Sequence, residues 1–194
     1  MIDTRYLESL RSYLHTHALV RRDVIKEAGD ALHHSKRAVF SLHRGDAGEA
    51  QKKLKEAEEI FLRLIKKYKQ HPAFQDEGSY RAAIEEYVEA TLFLQFVMKG
   101  KIGKVTTVGV DGDVYLAGLC DVPGELYRYA IRAATMHDHK TVEACVEMAN
   151  KIIGELVEFD LTSYLRTKFD QAKQATQKLE IVMYELALRE KNNK

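Results

Sequence analysis

Carboxylates at helical spacing are the residues of this chain best suited to chemistry. The segment SYRAAIEEYVEATLFLQFVMK, residues 79–99, is apolar at most positions, yet it carries Glu85, Glu86 and Glu89. Glu85 has Arg81 one turn before it, the spacing of an ordinary surface ion pair. Glu86 and Glu89 have no cation within a turn. Their helical neighbours are Ala82, Ala83, Glu85, Ala90, Leu92, Phe93 and one another. Two carboxylates this close repel, and burial adds a desolvation penalty. Protonation of one, an arginine from another helix, or a divalent cation between them would each relieve the conflict. Hard cations such as Mg²⁺ favour carboxylate oxygens. The E-x-x-E spacing does not choose among these, and a structural ion pair meets the same need. A second pair, Asp121 and Glu125, lies at i, i+4 in GLCDVPGELYRYAIR. Asp121 precedes Pro123 and also reads as a cap for a helix beginning there. Glu125 has Arg128 three residues on, again a surface pairing.

The complementary charge lies near the N-terminus. At about 100° per residue, Arg22, Lys26, His33, Arg37 and Arg44 fall within roughly 60° of one another on a helix. They make a basic stripe about 33 Å long, interrupted in sign by Asp30. Val24, Ile25, Ala28, Leu32, Val39 and Leu42 occupy the opposite side. Residues 1–44 hold eight Lys/Arg against five Asp/Glu and carry five of the eight histidines. Charge is therefore segregated in a chain whose net charge is +1. An ordinary solvated face has this pattern, and so does a track for phosphates that displaces counterions.

Other chemistry finds little support. Asp30 and His33 are one helical turn apart, but His33 fits the stripe better. A di-iron bundle needs E-x-x-H on two helices, and the sequence has none. His137 and His139 alternate in a polar turn. Cys120 and Cys145 have no metal-ligand spacing and no C-x-x-C, which suits a reducing, cytoplasmic setting. Phosphate-binding loops, dinucleotide fingerprints and nucleophile elbows are absent from the sequence.

The elements that must position these residues are helical. Periodicity near 3.6 predicts helices over about 3–14 and 17–44, the second stopped by Gly45. Asp46 and Glu49 form a capping-box variant ahead of a third helix, which ends by His71-Pro72. Ser79 is the expected cap of a fourth, ending at Gly100. Valines around Asp111-Gly112 suggest a short β-hairpin or an ordered loop at 104–116. Helices are then expected over about 115–134, 141–157 and 162–190. The expectation is an all-α antiparallel bundle of about seven helices in one domain, residues 1–194.

Composition agrees. The 194 residues are 45% hydrophobic and 30% charged, with 11 glycines and 2 prolines. Such a chain buries a single core and has room for long helices, and it is neither disordered nor disulfide-built. Residues 91–98 form the longest apolar run, too short for a membrane span. The first residues lack the apolar core of a signal peptide.

Four stretches resemble the translin/TRAX family, and more the TRAX (translin-associated factor X) branch: SKRAVFSLHR at 35–44, EYVEA at 86–90, YLAGLCDVPGELYR at 115–128 and KLEIVMYELALR at 178–189. The resemblance implies a seven-helix fold assembled into hollow, roughly octameric particles whose basic inner surface binds RNA or single-stranded DNA. TRAX-type subunits are Mg²⁺-dependent endoribonucleases. The family's metal-binding acids match Glu86, Glu89, Asp121 and Glu125, with Mg²⁺ or Mn²⁺ as the ion. Arg22, Lys26, Lys36, Arg37, His43, Arg44 and Arg128 are then the candidates for holding the RNA backbone. Pro123 departs from the family pattern and is expected to kink or restart its helix, displacing Asp121. The region 101–113 is short, which suits a self-assembling relative without an obligatory translin-type subunit. A non-catalytic translin-like binder of single-stranded RNA or DNA is the alternative, and a helical scaffold with no nucleic-acid role is a third.

Overall fold

In a computed structural model, which describes residues 2–192, the helices come in the order α1 (Thr4–His43), α2 (Ala47–Lys67), α3 (Gly78–Lys99), α4 (Gly112–Thr135), α5 (His139–Val157) and α6 (Ser163–Asn192). A 3₁₀ turn at Pro72–Asp76 links α2 to α3. The fold is all-α, as expected, with six α-helices and no strand among the described residues.

Helix ends follow local side chains. Asp3, Asp46, Asp111 and Asp138 each accept a backbone N–H three residues on, capping α1, α2, α4 and α5. Glu49 supplies only its N–H to this cap, while its carboxylate lies 3.7 Å from the Lys53 ammonium. Gly100 ends α3 in the left-handed region at φ 64°, where glycine has no Cβ penalty.

Three expectations need correction. The first two predicted helices are one 40-residue helix. Nothing in 14–17 breaks it, and Thr16 merely donates to the Ser12 carbonyl within the helix. Ser79 does not cap α3: the helix begins at Gly78, and the Ser79 hydroxyl is buried with no hydrogen-bond partner among the described residues. Of the hairpin and the ordered loop expected at 104–116, the hairpin does not form and the loop does. Residues 101–111 are an ordered loop held by side chains: Gln95 accepts from the Gly103 N–H and donates to the Lys104 carbonyl, and the Tyr87 and Thr107 hydroxyls bond at 2.8 Å. The Asp111-Gly112 pair starts α4 rather than turning a strand.

Packing joins two halves. The second part of α1 packs on α2 and α3; α4 packs on α5 and α6; the α3–α4 contact joins them. Phe61, Phe93, Leu42, Leu64, Leu92, Leu126, Leu156 and Leu179 are buried in the core. Each such side chain contributes about 1.5–3 kcal/mol by leaving water. Residues 2–19 are exposed, so α1 reaches beyond the body it packs against. None of the described helices is long and apolar enough to cross a membrane.

Candidate functional site: a carboxylate cluster beside a basic helix

The α3–α4 contact is close because of Gly118. A Cβ added there would lie 2.8 Å from Val88 Cγ1 and 2.9 Å from the Glu85 carbonyl oxygen. The two helices thus meet backbone to side chain at the point where both carry acids. Pro123 sits inside α4 without ending it, since the helix continues from Gly112 to Thr135. Asp121 is accordingly an interior residue of α4, not a cap, one turn before Glu125.

Glu86, Glu89 and Glu125 line one cleft of about 330 Å³, together with Lys36, Val39, Phe40 and Arg128. Asp121 adjoins them and acts electrostatically on both Glu86 and Glu89. A larger cleft of about 680 Å³, near Arg81, Glu85 and Tyr164, shares no lining residue with the smaller one.

Each acid has a different environment. Glu86 lies 3.4 Å from the Lys36 ammonium. Burial nonetheless pushes its carboxyl up, Lys36 offsetting only part of the shift. Asp121 hydrogen-bonds Lys168, which reaches it from α6 and also bonds Glu85 at 2.5 Å. Burial pushes Asp121 up against that contact. Burial acts to lower Lys168, but its bonds to Asp121 and Glu85 outweigh this and hold the ammonium proton firmly. Glu125 bonds His43 and accepts from Arg128 at 3.0 Å. Burial would raise it, yet His43 and Arg128 together hold it below the usual carboxylate range.

Glu89 stands apart. It is 8% exposed, and no cation ion-pairs or hydrogen-bonds with it among the described residues. Burial first, then the negative charges of Asp121, Glu125 and Glu86, push its carboxyl up to about 9. At neutral pH the group holds its proton unless positive charge arrives. The donors are all oxygen, the set that hard divalent cations take. The site is not a ready cage, since no group of three or more Asp, Glu, His or Cys is gathered for metal among the described residues. Lys168 and Lys36 already hold carboxylates that an ion would need. The set therefore fits a hard cation in chemistry, with those lysines required to yield.

The basic residues divide in two. Arg22, Lys26, His33, Arg37 and Arg44 are all exposed along α1, while Val24, Ala28, Val39 and Leu42 are buried on its other side. Ile25 is exposed, departing from the expected apolar face. Lys36 and Arg128 face the acid cleft, and His43 is largely buried against Glu125.

Three residues at this site escaped sequence reasoning. Glu85 pairs with Lys168 and accepts from the Tyr164 hydroxyl, whereas Arg81 reaches Asp111 at 2.9 Å. The expected local Arg81–Glu85 pair is thus replaced by two long-range ones. Lys168 had no local signal, since its partners are 47 and 83 residues away. Phe40 had one: it is 18 residues from Arg22, five whole turns, and so lies in the stripe itself. The burial of Cys120 and Cys145 pushes both thiols up to about 12, in keeping with a packing role.

Three solved structures share this architecture. Apo-NeC3PO superposes with a TM-score of 0.83 at 21% identity, covering 96% of this chain and 98% of that one. The AfC3PO–duplex RNA complex superposes with a TM-score of 0.84 at 27% identity, covering 95% and 97%. AfC3PO alone gives a TM-score of 0.85 at 27% identity, covering 95% and 98%. No curated protein sequence matches the chain. The Translin family model matches residues 19–190. That span takes in α3, α4 and most of α1, including every acid and base assigned to the site, and the chain belongs to the Translin family.

Proposed function

We propose that this protein is a TRAX-like, RNA-binding endoribonuclease that uses Mg²⁺ or Mn²⁺. The observation that carries the reading is Glu89: a buried carboxyl among other carboxylates, without a cation of its own, at the rim of a basic helix face. Such a group is costly unless it serves something the folded chain alone does not contain. RNA as the polymer is supported by the exposed cations of α1 and by a structural relative, 27% identical, in complex with duplex RNA.

Glu86, Glu89 and Asp121 are the residues that would hold the ion. When bound, the ion supplies charge that offsets the developing negative phosphate and lowers the pKa of the attacking water. Glu125, kept ionised by His43 and Arg128, would join Glu86, Glu89 and Asp121 in holding the ion or would accept a proton from water. Lys36 and Arg128, which line the cleft, bind the phosphate oxygens of the strand. Arg22, Lys26, Arg37 and Arg44 hold flanking phosphates. Assembly into a hollow homo-oligomer, an octamer on the family resemblance, would enclose the strand without a separate translin-type subunit.

Cleavage of a labelled single-stranded RNA in Mg²⁺ should fall to background in EDTA and in Glu89→Gln, with RNA binding kept in both. Equal cleavage with and without the ion, or full activity in Glu89→Gln, overturns the mechanism. The ion pairs of Lys168 and Lys36 favour the second reading, a non-catalytic binder in which lysines neutralise the acids for good. On that reading Mn²⁺ titration shows no binding linked to Glu89.

A further inference from the structure

Phe40 is 58% exposed and lines the acid cleft beside Lys36, Glu86, Glu89, Glu125 and Arg128. One helical turn in either direction from it come Lys36, Arg37, His43 and Arg44. The Arg44 guanidinium carbon lies 5.6 Å from the ring centroid. A large apolar ring is therefore displayed within the basic stripe near its C-terminal end, against a cation, at the edge of the carboxylates.

We infer that Phe40 is a stacking platform for one unpaired nucleobase of the bound strand, next to the phosphate presented to the acids. The inference rests on the RNA-binding reading and assigns a subsite within it. Bases stack on aromatic rings irrespective of sequence, and a guanidinium beside the ring adds a cation–π contribution. The surrounding cations, Lys36, Arg37, Arg44 and Arg128, complement the phosphates that flank such a base. They favour a polyanion over an apolar protein surface as the occupant. A base inside a duplex has both faces covered by its neighbours. The platform therefore prefers single-stranded RNA, or the loops and ends of folded RNA.

The test is binding in EDTA, where no strand is cut. A single-stranded RNA carrying one 2-aminopurine and a blunt duplex of equal length are titrated against wild type, Phe40→Ala and Phe40→Trp. Phe40→Ala should lose about ten-fold or more in single-strand affinity, keep its salt slope because no cation is removed, and bind the duplex as wild type does. Phe40→Trp should retain the affinity and quench the 2-aminopurine; Phe40→Ala should not quench it. Equal single-strand affinity in Phe40→Ala overturns the platform. So does a changed particle mass of that variant in light scattering, because the ring would then serve contact with a second copy of the chain. Wild-type protein that binds neither RNA at low salt sinks the functional reading itself.

Discussion

The acid cluster between α3 and α4 and the basic face of α1 carry opposite charge at opposite cost. Arg22, Lys26, Arg37 and Arg44 project into water, where a charged side chain needs no partner. Their pattern is thus cheap to build and says little by itself. Glu86, Glu89, Asp121 and Glu125 are partly or fully withdrawn from water, and burial, which acts to raise all four, prevails in three. Only Glu125, clamped by His43 and Arg128, goes the other way. A buried feature that opposes folding is stronger evidence of purpose than an exposed one that is neutral toward it.

The largest effect should come from removing the opposing charge. In metal-free protein, the folded Glu89 carboxyl titrates at about 9 against an ordinary value of 4.5. The folded state keeps a proton that the unfolded state gives up. Stability is therefore intact below about pH 4.5, falls as pH rises towards about 9, and is flat above that for this group. Glu86 and Asp121, also raised, add to the fall. Glu89→Gln carries no such proton, so its melting temperature in EDTA should drop less between about pH 5 and pH 9, with a gain over wild type on the order of a few kcal/mol at the alkaline end. Mn²⁺ should restore wild type there and leave the variant nearly unchanged. Parallel melting curves for the two proteins would mean that Glu89 is solvated or already neutralised.

Next in size is the close approach that creates the cluster. Helix propensity alone predicts that Gly118→Ala stabilises α4 by about 1 kcal/mol. The added methyl, however, would press on Val88 and the Glu85 carbonyl, and overpacking costs about 1–3 kcal/mol. The expected net effect is destabilisation, with α3 and α4 spread and any Glu89-linked metal binding weakened. RNA binding along α1 should hardly change. A more stable Gly118→Ala variant in a urea melt would show that α3 and α4 have room to spare.

The same contrast of local and distant interactions explains what could be read in advance. Asp3, Asp46, Gly45 and Gly100 mark helix ends within a few residues, so those ends were legible. The expected division of α1 near 14–17 has no such marker: the stretch contains no residue that breaks a helix, and the helix runs through it. Asp111-Gly112 suits a hairpin and a helix start equally. In the fold Asp111 caps α4 and pairs with Arg81 while Gln95 holds the loop, and the last two are contacts that periodicity does not encode. At the site, Glu86 and Glu89 stood out because they lacked local cations. The cations they meet, Lys36 on α1 and, through its neighbours, Lys168 on α6, come from other helices. Sequence spacing could locate the unmet charge but not the residue that answers it.

The smallest effect on folding, and the sharpest check on the stripe, comes from its outer cations. Arg22 and Arg37 are exposed and about four turns apart on one face of α1. Replacing both with alanine should change stability by no more than about 0.5 kcal/mol, because neither leaves a buried group unpaired. If each holds a phosphate, the slope of log affinity against log salt should flatten by about one per residue, uniformly across RNA sequences. The Phe40→Ala variant should behave in the opposite way, losing single-strand affinity at unchanged slope. A double variant with an unaltered slope would leave the acids without a basic track to feed them. The exposed arginines would then be what most exposed arginines are, solvated charge on the outside of a helix.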